Sequence, residues 1–115
     1  MEKLLSAEGS REVRLPLITL VAGARPNFMK IAPIARALDV VDSVRYEIVH
    51  TGQHYDASMS DVFFEQLGIP QPSHHLEARS GTHAEQTARV MVGFEQYCER
   101  VRPDLTLVVG DVNST

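Results

Sequence analysis

Residues 17–22 run as an apolar stretch into a small-residue turn, Gly23-Ala24, that carries Arg25, and Lys30 follows in what reads as the first turn of a helix. Two cations and a helix start at a strand end suit an anionic ligand, because the opening amides and dipole of a helix are positive. A guanidinium there can grip a phosphate through two N–H groups, and a lysine adds a mobile point charge. Gly23 has no side chain to hold a ligand off the backbone. Pro26 suits the first helical position and biases Arg25 towards an extended conformation, which would lift its side chain over the crevice. A second strand end closes the sequence, where residues 105–109 lead into Gly110-Asp111. A carboxylate leaving a strand end can act as a base, bind a metal or cap a turn, and local sequence leaves all three open. Gln53 and His54 stand in the turn after another apolar strand, placed to touch a sugar or a nucleotide. Taken alone, Arg25 and Lys30 read equally well as solvated surface charges, and a loop histidine such as His54 is more often solvated than in contact with a ligand.

The elements that must position them alternate between strand and helix, the signature of a doubly wound parallel α/β sheet of Rossmann-like type. Strands are predicted at Leu15–Ala22, at 45–51 and, after Pro103, at 105–109, with a short one at 74–78. The first helix is predicted over Asn27–Leu38, with Phe28, Ile31, Ile34, Ala35 and Leu38 at helical spacing and Pro33 kinking or breaking it. Asp56 or Ser58 can cap a second helix that runs to Leu67, where Gly68 and Pro70 end it. Thr82 and Glu85 form a capping box for a third helix reaching Arg102, whose inward stripe reads as Ala84, Ala88, Met91, Phe94, Cys98 and Val101.

Composition narrows the choices further. With 115 residues the chain can bury one small core. Eleven basic against 15 acidic side chains give a net charge of −4, which argues against a nucleic-acid partner. No apolar run approaches the roughly 20 residues of a membrane span. Residues 1–14 lack the uninterrupted apolar segment of a secretory signal and are expected to be a flexible leader to a folded part at 15–115. The single cysteine, Cys98, can form no internal disulfide and fits a reducing cytoplasm. His74 and His75 would point to opposite faces of a strand, a poor metal pair, and no metal site is expected. Neither dinucleotide-binding nor P-loop glycine spacing is present.

Three segments in register resemble the non-hydrolysing UDP-N-acetylglucosamine 2-epimerases. Residues 23–33 are similar to that family's Gly-Thr-Arg-Pro-Glu motif with its following Lys and Ala-Pro. Residues 51–54 match its Thr-Gly-Gln-His turn, and residues 109–115 its Gly-Asp-Thr-(Thr/Asn)-Ser-Thr strand end. Ala24 and Asn27 depart from the commonest Thr and Glu, and Asn27 removes a carboxylate. The resemblance implies the opening part of the N-terminal half of a glycosyltransferase-B-type architecture, with the C-terminal half and its uridine site absent, so that the fragment alone is inactive. It also implies a cytoplasmic homodimer in polysaccharide biosynthesis that needs no cofactor and takes UDP-N-acetylglucosamine as substrate. Some members bind a second substrate molecule as activator near the turn that corresponds to Gln53-His54. In such an enzyme Asp111 would be catalytic, and Gly23, Arg25, Lys30, Gln53 and His54 would bind substrate and its UDP. The competing readings are an epimerase or hydrolase of a diacetamido UDP-sugar, a non-catalytic phosphate-binding or packing fragment, and a glycosyltransferase of the same architecture.

Overall fold

The structure, a computed structural model, describes residues 14–52, 61–76, 78 and 81–110. Most of the expected leader, the Asp56 or Ser58 cap, and the candidates Gln53, His54 and Asp111 lie outside them. Strand β1 (Leu17–Ala22) leads into helix α1 (Arg25–Asp39), then β2 (Arg45–His50), α2 (Asp61–Leu67), β3 (His74–His75), α3 (His83–Val101) and β4 (Leu105–Val108). All strand pairs are parallel, in the order β3-β2-β1-β4, so β1 is central and the connection through α3 carries the chain back across it. This is the doubly wound arrangement the alternation predicts.

Alternation along the strands builds a layer on each side. Leu20, Ala22 and Ile48 meet Phe28, Ile31, Ala32 and Ala35 of α1, with Phe63 and Phe64 of α2 sealing the same cluster. Each leucine, isoleucine or phenylalanine removed from water here contributes about 1.5–3 kcal/mol. On the other face lies Thr19, a fully buried hydroxyl on the central strand. Its hydroxyl is 2.7 Å from the Tyr97 hydroxyl of α3, which in turn donates to Glu47 Oε1 at 2.9 Å. Burial and the Glu47 carboxylate push the Tyr97 phenol up to about 12.

That polar chain fixes how α3 lies, and it overturns the predicted stripe. Val90 and Tyr97 are the buried residues of the helix, whereas Met91 is 67% exposed, Ala84 and Ala88 are exposed, and Phe94, Cys98 and Val101 are only half-buried. Counting apolar residues rotates the helix away from Tyr97, whose hydroxyl is acceptable inside because two strands supply partners. The Thr82–Glu85 capping box forms as expected, with Glu85 N–H donating to Thr82 Oγ1 at 3.1 Å and Thr82 N–H to Glu85 Oε1 at 2.8 Å.

Three further expectations change. Leu15 is outside β1, and β3 is two residues long. Pro33 does not break α1, which continues to Asp39. Proline removes the bond to the carbonyl of Met29, but both residues sit on the exposed flank, where water can take that carbonyl.

Candidate active site

The strand order reverses at β1, so the carboxyl ends of β1 and β4 form the switch point where open α/β sheets bind ligands. Val21 pairs with Val108 in register, which brings the turn after β1 level with the turn at Gly110. Asn27 joins them. Its side chain is 3% exposed, and Oδ1 accepts the N–H groups of both Gly23 and Ala24, each at 3.1 Å. Its Nδ2 faces Gly110 so closely that a Cβ there would stand 2.4 Å away, and Gly110 has φ +96°. The residue that the sequence reads as a lost carboxylate is therefore a buried clasp between the two turns.

The same clasp corrects the reading of Arg25. Ala24 (φ −140°, ψ 157°) is the extended N-cap, and Arg25 is the first helical residue, with Pro26 second. Alanine offers no capping oxygen, so Asn27, reaching back from the third helical position, takes the Ala24 N–H instead. This pins the turn against the extended bias that proline places on Arg25.

Lys30, in consequence, stands in the second turn of α1 rather than the first. A helix turns by about 100° per residue, so Lys30 lies about 140° round from Arg25. Lys30 is three residues beyond Asn27 and shares its β4-side flank. Arg25 occupies the other flank, with its guanidinium carbon 4.9 Å from the centre of the Phe63 ring of α2. The two exposed cations therefore straddle α1 instead of standing side by side.

At the end of β2, His50 is 1% exposed, packed against the rings of Phe28 (5.0 Å) and His75 (5.5 Å). Its Nδ1 accepts the Gly52 N–H at 2.8 Å, which places the imidazole proton on Nε2 and ties down the turn leading to Gln53-His54. Sequence reading takes His50 only as a strand residue; the signal it passes over is a histidine on the apolar face just before Thr51-Gly52. Burial, then the neighbouring His75, lower its pKa to about 4. An unfolded histidine takes its proton near 6.5, so between those values the unfolded state binds more protons and stability falls as pH falls. Denaturant unfolding between pH 7 and pH 4 is expected to show a loss of about 3 kcal/mol attributable to this group, and His50→Gln should flatten that limb. An unchanged limb in the variant would assign the loss elsewhere.

The rim thus holds Gly23, Arg25 and the Asn27–Gly110 contact together, with Lys30 one turn down. Among the described residues no helix is long and apolar enough to cross a membrane, and no three His, Cys, Asp or Glu side chains gather as a metal cluster.

Comparison with known proteins agrees with this fold. The sequence model of the family described as UDP-N-acetylglucosamine 2-epimerase matches residues 36–115. A UDP-2,3-diacetamido-2,3-dideoxy-D-glucuronate 2-epimerase of Pseudomonas aeruginosa is 44% identical over 98 residues, covering 85% of this chain and 28% of that protein. A UDP-N-acetylglucosamine 2-epimerase of Methanocaldococcus jannaschii is 38% identical over 97 residues, covering 84% of this chain and 26% of the relative. The crystal structure of the M. jannaschii enzyme in complex with UDP-GlcNAc and UDP superposes with a TM-score of 0.79 at 38% identity, over 85% of this chain and 27% of the other. The chain spans about a quarter of the length of these relatives. With the fold and these matches in agreement, the chain belongs to the UDP-N-acetylglucosamine 2-epimerase family.

Proposed function

We propose that this chain forms the first part of an enzyme that inverts C2 of a UDP-linked N-acetylhexosamine, interconverting UDP-N-acetylglucosamine and UDP-N-acetylmannosamine. A base removes the C2 proton, the C1–O bond breaks with UDP leaving, and a C1=C2 double bond forms in a 2-acetamidoglucal. UDP then returns to C1 as a proton is delivered to the opposite face of C2. Such a site needs cations for the departing diphosphate and a carboxylate near the C2 proton and the electron-poor C1. Arg25 and Lys30 on the two flanks of the α1 N-terminus suit the diphosphate, while Gly23 leaves room for it. Asp111, directly after Gly110, supplies the carboxylate, and Gln53 and His54 contact the nucleotide-sugar from the β2 end. The chain spans only a quarter of its relatives, so the remaining catalytic groups and the uridine pocket belong to the intact protein, which we read as a cytoplasmic homodimer.

The observation that carries the reading is the junction of the β1 and β4 turns through Asn27, in a fold shared with a relative crystallised with UDP-GlcNAc and UDP. Arg25→Ala in the intact enzyme is expected to weaken UDP binding about 10- to 100-fold in a calorimetric titration, the loss of a charge-assisted contact. Unaltered UDP affinity would remove Arg25 from the site. The 44% identity to the P. aeruginosa enzyme favours a second reading, a diacetamido uronate sugar as substrate. Incubating each UDP-sugar with the enzyme in deuterated water separates the two, because only the true substrate gains deuterium at C2.

A further inference from the structure

We propose that Phe63 is a positioning residue for Arg25, an aromatic platform that holds the guanidinium in its phosphate-binding pose; this rests on the substrate-binding reading of Arg25. The Phe63 ring is nine-tenths buried and fixed by edge contacts to Phe28 and Phe64, with centroids at 6.4 and 5.3 Å. Arg25 is exposed, and its guanidinium carbon lies 4.9 Å from the centre of that ring. The platform is itself anchored. Arg36, about three turns along the same flank of α1, donates to the Leu67 carbonyl at the end of α2.

The chemistry follows from what a stack uses and what it leaves open. A guanidinium over an aromatic ring is attracted by the ring quadrupole, and the N–H donors that point away from the ring stay open. Those donors stay available to two phosphate oxygens at once. A long arginine side chain otherwise samples many rotamers, and the stack removes most of that freedom before the ligand arrives. An aliphatic side chain of similar size can fill the core but cannot hold the cation. Phe63 therefore has two roles, one towards Phe28 and Phe64 and the other towards Arg25.

The test is steady-state kinetics and UDP titration of the intact enzyme. Phe63→Leu is expected to raise KM and weaken UDP binding about 3- to 10-fold with kcat within about twofold, since the interaction is the same in ground and transition states. Phe63→Tyr, which keeps the ring face, restores both values. In an Arg25→Ala background, Phe63→Leu causes no further loss of UDP affinity. Equal losses in both backgrounds, or no loss in either, would overturn the platform. A weakened Arg25→Ala enzyme beside an unaffected Phe63→Leu enzyme sinks the platform alone, whereas normal UDP binding by Arg25→Ala sinks the underlying reading of Arg25. If Phe63→Leu fails to fold, the Arg25 Hε resonance of the wild-type protein decides: the stack places it upfield of an unstacked arginine, and an unshifted signal refutes it.

Discussion

Asp111→Asn in the intact enzyme is expected to lower kcat about 10²- to 10⁴-fold while leaving UDP affinity within a few-fold. The amide keeps the size and most of the hydrogen bonding of the side chain but can neither accept the C2 proton nor place negative charge beside C1. Deuterium wash-in at C2, followed alongside turnover, checks the assignment directly. Loss of exchange together with turnover places Asp111 at the elimination step that forms the glucal. Retained exchange with lost turnover means that elimination and re-addition continue on one face of C2 and places Asp111 at proton transfer on the opposite face. Wild-type rates for both would leave Asp111 as a turn cap and return the chemistry to residues elsewhere in the protein.

A comparable loss is expected from Gly110→Ala, for a reason that is entirely geometric. The new Cβ would stand 2.4 Å from Asn27 Nδ2, at a φ of +96° that an alanine adopts only under strain. Either Asn27 is pushed off the Gly23 and Ala24 amides, or the chain after β4 moves and takes the following carboxylate with it. Displacement of about 1 Å at a reacting group costs on the order of 100-fold in rate. The variant is therefore expected to lose about 10²-fold in kcat, with about 1–3 kcal/mol of stability lost to strain and to the disturbed clasp. Kinetics beside a denaturant melt separate the two, because a purely structural effect would lower stability and leave kcat per folded molecule intact. Asn27→Ala, which makes room for the new methyl, should recover part of the stability lost by Gly110→Ala, and failure to do so would show that the contact is not the cause.

The two turns became visible as candidates because their signals are local. An apolar run that ends in Gly-Ala-Arg-Pro, and another that ends in Gly-Asp, mark strand ends wherever they occur, and the Thr82–Glu85 box marks a helix start for the same reason. The regular alternation of such segments was enough for a parallel α/β sheet, and the three motifs in register were enough for the family. Asn27 could not be read in the same way. Its value depends on Gly110, 83 positions away, and a side chain that clasps distant backbone leaves no periodicity behind.

What the chain itself determined, then, was the order of strands and helices, the α3 cap and the residues around the strand ends, since capping, turn chemistry and hydrophobic spacing act over a few residues; the starts of β1 and α1 shifted by two residues each, to Leu17 and Arg25. The fold alone decided which way the helices face and what the charged groups touch. Tyr97 turns inward because Thr19 and Glu47 reach it from two strands. Arg25 lies on Phe63 while Lys30 takes the opposite flank of α1. These outcomes depend on partners 38 to 78 residues apart, brought together only when the sheet closes, and nothing within one helical turn of either residue encodes them.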